Sequence, residues 1–187
     1  KIIRVTFRSW GCLNRSRAFP EGPVFYRQER VTSYGRIFRI FKFRTMKVDA
    51  DKMGSLVTLK NDDRITRVGH VIRRYRLDEL PQLLNILTGD MSLVGTRPEV
   101  AKYVAAYTPE MKATLLLPAG VTSTASILFK DEEELIAKFI LEGMEVDDIY
   151  ITKVLPEKMH YNLSYLKNYS FLGDLKLMVR TVLKVFK

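Results

Sequence analysis

Residues 64–100 read RITRVGHVIRRYRLDELPQLLNILTGDMSLVGTRPEV. In the first part, Ile65, Val68, Val71 and Ile72 recur at helical spacing, and Arg64, Arg67, Arg73, Arg74 and Arg76 fill much of the remainder, the pattern of a basic amphipathic helix. A second helix is expected to start at Asp78, because Asp is a good N-cap, Pro81 is tolerated in a first turn and Gly89 closes the segment. Residues 91–95 then read as a short strand or loop that enters Thr96-Arg97-Pro98. Upstream, VFYRQERV (24–31) and RIFRIFKFRTM (36–46) flank the turn signal Ser33-Tyr34-Gly35 and predict a β-hairpin with one basic edge and one apolar face. Residues 47–63 are polar and read as a loop. Downstream, residues 99–117 are helical with a break near Thr108-Pro109, and Pro118-Ala119-Gly120 reads as a turn. Helices are expected at 131–141, at about 148–167 and at 171–186. The fold class is therefore α+β and α-rich, a compact single domain with little sheet.

The composition fits such a domain. The chain has 187 residues, 47% of them hydrophobic and 28% charged, with a net charge of +10. That argues against disorder, collagen-like repeats and disulfide-stapled mini-folds. A single cysteine, Cys12, excludes an internal disulfide, and two distant histidines, His70 and His160, give no zinc pattern. No apolar run approaches the ~20 residues of a membrane-spanning helix. The charge is divided unevenly: residues 1–97 carry +11 and residues 98–187 carry −1, and after Arg97 the only arginine is Arg180. Arginine suits planar contact with phosphate, so the first half handles anions: nucleic acid, an anionic membrane face or a phosphorylated small molecule. In the last helix Lys176, Arg180 and Lys184 form a basic stripe beside a broad apolar remainder, which suits either a membrane interface or docking on the core.

The densest chemistry is the pair Asp78-Glu79, which directly follows several arginines. At a helix N-terminus, free N–H groups and the macrodipole would hold a phosphate and depress the pKa of Asp78. An ionised carboxylate beside bound phosphate can act as a nucleophile, and its neighbour can support a divalent cation that screens a pyrophosphate. The plain alternative is an N-cap with no further role.

The string RLDELPQLLNILTGDMSLVGTRPEV resembles the signature of the bacterial sugar transferases, the monotopic polyprenyl-phosphate phosphoglycosyl transferases. GPVFYRQERV and IFKFRTM upstream, and YTPEMKATLLLPAGVTSTASILFKDEEEL and VLPEKMHYNLSYLKNYSFLGDLKLMVRTVLKVF downstream, are similar to further elements of that family in the same order. The resemblance implies a catalytic domain over residues 22–187 with membrane-interface amphipathic helices. It implies transfer of a phosphosugar from a UDP-sugar to a polyprenyl phosphate, at the cytoplasmic face of the bacterial inner membrane, as a first step in glycan assembly. By the same resemblance Asp78 is the nucleophile that forms a covalent phosphosugar intermediate, and Glu79 supports Mg2+. Arg73, Arg97 and Pro98 match phosphate- or nucleotide-handling positions, and Lys42 matches a basic residue near the site. Arg44, Arg74 and Asp90 are further candidates.

Two departures stand out. The family normally has an apolar helix dipping into the membrane before the Gly-Pro element, whereas Arg4, Arg8, Arg15 and Arg17 interrupt residues 1–21, which are expected to be an atypical segment. The family's Pro-Gly-Ile/Val-Thr-Gly turn stands here as Pro118-Ala119-Gly120-Val121-Thr122-Ser123, where the extra Ala is expected to shift a loop. Two other readings follow from the residues: a basic nucleic-acid-binding module, from the aromatic and basic interleaving of the hairpin, and an inactive, anchor-less fragment of the transferase.

Overall fold

The computed structural model describes residues 22–185 apart from 56, 59–61 and 130–131. The expectation for residues 1–21 lies outside the described residues. Strands β1 (Phe25–Val31) and β2 (Ile37–Phe43) form the expected antiparallel hairpin, with Tyr26 opposite Lys42, Gln28 opposite Ile40 and Arg30 opposite Phe38. Side chains alternate across a strand, so Tyr26, Gln28 and Arg30 share one face with Phe38, Ile40 and Lys42. Phe38 and Ile40 are buried against Met91, Ile86 and Val121. The inward face thus carries Phe38 and Ile40 beside two cations, Arg30 opposite Phe38 and Lys42 opposite Tyr26, rather than being apolar throughout.

Helix α1 (Arg67–Arg74) starts at the N-cap Thr66, whose hydroxyl accepts from the Gly69 amide at 2.9 Å. It docks backbone-first on the segment that follows β2. The Thr66 amide donates to the Thr45 carbonyl at 2.9 Å, and a Cβ at position 69 would lie 2.0 Å from that same oxygen, so only glycine permits this approach. One turn later, Arg73 Nε donates to Thr45 Oγ1 at 2.8 Å.

The second helix differs from its expectation. Asp78 lies in a one-turn 3-10 helix, Leu77–Glu79, entered through Arg76 in the left-handed region (φ 52°). The α-helix itself, α2 (Gln82–Leu87), begins only after Pro81. Pro81 has no N–H to return to the Leu77 carbonyl, so the chain closes tighter i+3 bonds instead, from Glu79 to Arg76 and from Leu80 to Leu77, each 3.2 Å. Asp78 is therefore not an α-helix N-cap.

From α2 the buried Asn85 holds the outer edge of β2: its Oδ1 accepts from the Phe41 amide at 2.8 Å and its Nδ2 donates to the Arg39 carbonyl at 3.0 Å. Asn85→Ala should orphan both backbone groups at a cost of about 2–3 kcal/mol. Thermal unfolding checks this, and an unchanged melting temperature would show that the edge is held by something else.

Strand β3 (Met91–Val94) pairs in parallel with β4 (Ala119–Thr122). This corrects the turn expected at Pro118-Ala119-Gly120. Ala119 is buried within the strand and its amide donates to Thr32 Oγ1 at 3.1 Å, so the extra Ala is part of the strand pairing. Between the strands run α3 (Ala101–Val104), α4 (Pro109–Lys112) and a 3-10 turn, Ala113–Leu116. The chain ends with α5 (Thr124–Leu128), α6 (Glu132–Leu141), α7 (Val146–Ile149), a π-helical turn at Tyr150–Val154, α8 (Leu155–Lys167) and α9 (Phe171–Val185). The helix expected at 148–167 is thus split. Pro156 cannot donate to the Thr152 carbonyl and its ring crowds that oxygen, and the widened turn accommodates both effects. The main core gathers Tyr103, Tyr107, Ile136, Ile149, Val154, Leu155 and Met159, to one side of the hairpin. Among the described residues, no helix is long and apolar enough to cross a membrane.

In α9, Leu177 and Met178 turn inward, and Thr181 is hydrogen-bonded to Thr122 at 2.6 Å. Lys184 also turns in, donating to the Ser126 and Ile127 carbonyls at the end of α5, so the expected basic stripe is reduced to Lys176 and Arg180.

Candidate active site

The hairpin, the 44–50 segment and α1 enclose a cleft of roughly 350 Å³. Its lining includes Arg30 and Lys42 from the hairpin face, Arg44 and Lys47 from the segment after β2, Arg64 from the loop ahead of α1, Arg73 from the end of α1, and Asp78. Side-chain alternation explains the first pair: continuing the buried series Phe38, Ile40 along β2 brings Lys42 to the same face at the cleft end.

The two adjacent carboxylates meet opposite fates. Glu79 Oε1 is bound by Arg97 Nη2 and lies 3.5 Å from Lys42 Nζ. Burial alone would raise its pKa, but the Arg97 and Lys42 charges outweigh that and hold it far below the usual carboxylate range. Arg97 is in turn raised by Glu79. Lys42 is pulled down to about 8 by burial, with repulsion from Arg97 adding to the effect and Glu79 opposing it.

Asp78, by contrast, has no ion-pair or hydrogen-bond partner among the described residues. It is 8% exposed and lines the cleft. Burial raises its pKa, although the charges of Lys42, Arg73 and Arg97 act the other way. The depression expected from a helix N-terminus is thus reversed, since no α-helix starts there and desolvation dominates. What results is a carboxylate that is desolvated, surrounded at longer range by cations and not spent on any contact. Phosphate entering the cleft has cations to meet it, with the Asp78 carboxylate on the same wall.

The remaining sequence candidates divide. Arg44 is buried and lines the cleft with Arg73. Pro98 contributes through its backbone, its carbonyl accepting from Arg30 Nη1 at 3.1 Å. Arg74 is exposed, its guanidinium 5.9 Å from the Tyr75 ring, and is not part of the cleft. Asp90 is likewise elsewhere, bound to Arg36 at 2.8 Å and to Thr88 at 2.9 Å in the turn that ends α2. Arg30, Arg64 and Thr45 also line the cleft and were not sequence candidates, although the Arg64 guanidinium is engaged by Asp62 and by the Ala50, Ser55 and Val57 carbonyls. The hairpin register was the signal for Arg30, which falls on the Lys42 face.

Magnesium is tested by the donor set. Among the described residues no three His, Cys, Asp or Glu side chains gather to hold a metal. Magnesium with a diphosphate needs only one or two carboxylates, because phosphate oxygens and water supply the rest. Both cation contacts of Glu79 fall on Oε1, which leaves Oε2 and the unpartnered Asp78 beside it. Glu79 therefore fits a magnesium ion whose other ligands would be phosphate oxygens and water.

Comparison with known proteins gives the family. Residues 13–187 match the family described as bacterial sugar transferase. The chain belongs to that family. It is 37% identical over 163 residues to the uncharacterized sugar transferase EpsL of Bacillus subtilis, covering 87% of this chain and 70% of the relative. It is 34% identical over 164 residues to the UDP-N-acetylgalactosamine-undecaprenyl-phosphate N-acetylgalactosaminephosphotransferase of Aeromonas hydrophila, covering 86% of this chain. It is 35% identical over 170 residues to the UDP-glucose:undecaprenyl-phosphate glucose-1-phosphate transferase of Escherichia coli, covering 88%. The chain spans 35% and 33% of the length of those last two relatives.

Proposed function

We propose that this bacterial sugar transferase moves a phosphosugar from a UDP-sugar to a polyprenyl phosphate, with Asp78 as the nucleophile. The observation that carries the reading is the unequal treatment of the carboxylate pair: Glu79 is neutralised by Arg97 and Lys42, while Asp78 is left unpartnered at the wall of a cationic cleft. The names of the Aeromonas and Escherichia relatives support the substrate class.

The chemistry follows from phosphoryl transfer, where positioning and charge neutralisation do most of the work. A UDP-sugar lays its diphosphate among Arg30, Lys42, Arg44 and Arg73. An Asp78 carboxylate oxygen forms a bond to the sugar-side phosphorus, and the bond from that phosphorus to the bridging oxygen breaks. The electron pair leaves on UMP. An oxygen of the polyprenyl phosphate then attacks the same phosphorus, the bond to Asp78 breaks, and the carboxylate is regenerated with a lipid-linked diphosphate sugar. Glu79 would hold magnesium, which would screen the diphosphate charge.

The acceptor is a lipid, so the protein must meet a membrane surface. α2 and α9 both rest on β3, and each exposes an apolar face: Leu83, Leu84 and Leu87 on one, Leu172, Leu175, Val179 and Val182 on the other. These faces suit the interface of an anionic inner leaflet, with Lys176 and Arg180 at the edge. Vesicles containing anionic lipid should sediment the chain, and the double variant Leu87→Glu/Val182→Glu should weaken that binding by about tenfold or more, given the cost of placing charge in an apolar contact.

The reaction is tested by incubating the purified chain in detergent with polyprenyl phosphate, magnesium and a panel of UDP-sugars, and measuring UMP. Release from one or more donors that depends on the lipid for sustained turnover is expected. No release from any donor, together with tight and steeply salt-dependent nucleic-acid binding, would overturn it.

A further inference from the structure

Arg97 sits in the middle of a short segment that is pinned from both sides. Before it, the Gly95 amide donates to the Thr122 carbonyl at 3.0 Å, and the Thr96 carbonyl accepts from the Gly120 amide at 2.9 Å. After it, the Glu99 carbonyl accepts from the Val31 amide at 2.9 Å, and Arg30 holds the Pro98 carbonyl. The Glu99 side chain is buried, and its Oε1 accepts from the Tyr150 hydroxyl at 2.6 Å, while Arg30 lies 3.8 Å from its Oε2. Neither Glu99 nor Tyr150 lines the cleft or enters the transfer chemistry.

Tyr150 opens the π-helical turn ahead of α8, the kind of widened turn often found where a helix serves a site. Its ring lies 4.4 Å from that of Tyr103, centroid to centroid, and its hydroxyl also receives Lys158 Nζ at 3.0 Å. Lys158 is held by Glu132 Oε1 at 2.8 Å. A continuous polar chain therefore runs from α6 through α8 and the π turn to the residue two positions beyond Arg97. A buried carboxylate that close to a guanidinium attracts it, and the charge of Glu99 does act on Arg97. With its oxygens engaged by Tyr150 and Arg30, Glu99 does not draw Arg97 off Glu79.

We infer that Tyr150 is a positioning residue: through Glu99 it fixes the Arg97 segment so that the guanidinium stays on Glu79 beside Asp78. The inference rests on the proposed transfer reaction. It makes the helical core, and not only the cleft, a determinant of rate.

The test is a double-mutant cycle of Tyr150→Phe and Arg97→Lys, read as UMP release in the assay above. Tyr150→Phe should slow release by about tenfold, in the range of couplings carried by contacting side chains. In the Arg97→Lys background, where the shorter cation cannot reproduce the guanidinium contact, the same change should cost little further. Multiplying effects would show that Tyr150 acts independently of Arg97 and would overturn the inference, as would a Tyr150→Phe protein with the parent's rate. If Tyr150→Phe does not fold, Lys158→Gln, which loosens the phenol without removing it, takes its place in the cycle. If the parent releases no UMP from any donor, the reaction itself is wrong. The cycle is then read as UDP affinity by calorimetry, where non-additivity supports the link and additivity overturns it.

Discussion

Asp78→Asn should abolish UMP release, lowering the rate by about a thousandfold or more, as expected when a covalent nucleophile is removed. The substitution is nearly isosteric, and Asp78 has no bonded partner to lose among the described residues. The fold should therefore survive: removing a desolvated carboxylate leaves the melting temperature unchanged or higher. Two measurements separate chemistry from damage. The parent, given a UDP-sugar without lipid acceptor, should gain the mass of one phosphosugar by intact mass spectrometry, and the Asn variant should gain none. A variant that keeps near-parental turnover would place the nucleophile elsewhere. A parent that turns over without any adduct, even after rapid quenching, would point to direct transfer in which Asp78 only orients the donor.

Gly120→Ala should have the largest effect on stability. A Cβ at this position would lie 2.1 Å from the Gly95 amide nitrogen, 2.6 Å from its Cα and 2.7 Å from its carbonyl oxygen. All three are backbone atoms of the chain leaving β3, so no side chain can rotate away. The only relief is to part β3 from β4, which also breaks the bonds from Gly95 to Thr122 and from Gly120 to Thr96. A cost of about 3 kcal/mol or more is expected, beyond the usual range for overpacking because rigid backbone must move. At about 2–4 °C per kcal/mol for a chain of this size, melting should fall by roughly 6–12 °C. Because the parted segment leads directly into Arg97, whatever folded protein remains should also release UMP more slowly. A variant that melts with the parent would show that the two glycines do not touch in solution.

Much of the site was legible because its residues are close in sequence. Asp78, Glu79 and Arg97 fall within one motif, Arg73 stands just ahead of it, and Lys42 lies in an upstream string that carries the same resemblance. Arg74 shows the limit of such reading: it neighbours Arg73, but one step around a helix is about 100°, and it points to solvent while Arg73 reaches Thr45. Asp90 stands apart from the cleft, and its contacts with Arg36 and Thr88 close a turn. The extra Ala119 looked like a loop insertion because Pro and Gly beside it signal a turn; only pairing with β3, nearly thirty residues earlier in the chain, makes it a strand.

By itself the sequence determined the hairpin, the amphipathic helices, the carboxylate pair and the concentration of arginine in one half, since alternation, helical period and composition are local properties. Tertiary structure decided which of two neighbouring carboxylates is free. Glu79 is neutralised by a lysine 37 positions before it and an arginine 18 positions after it, and Asp78 is not. Charge balance and desolvation depend on what the chain brings from far away, and no spacing along the sequence encodes them.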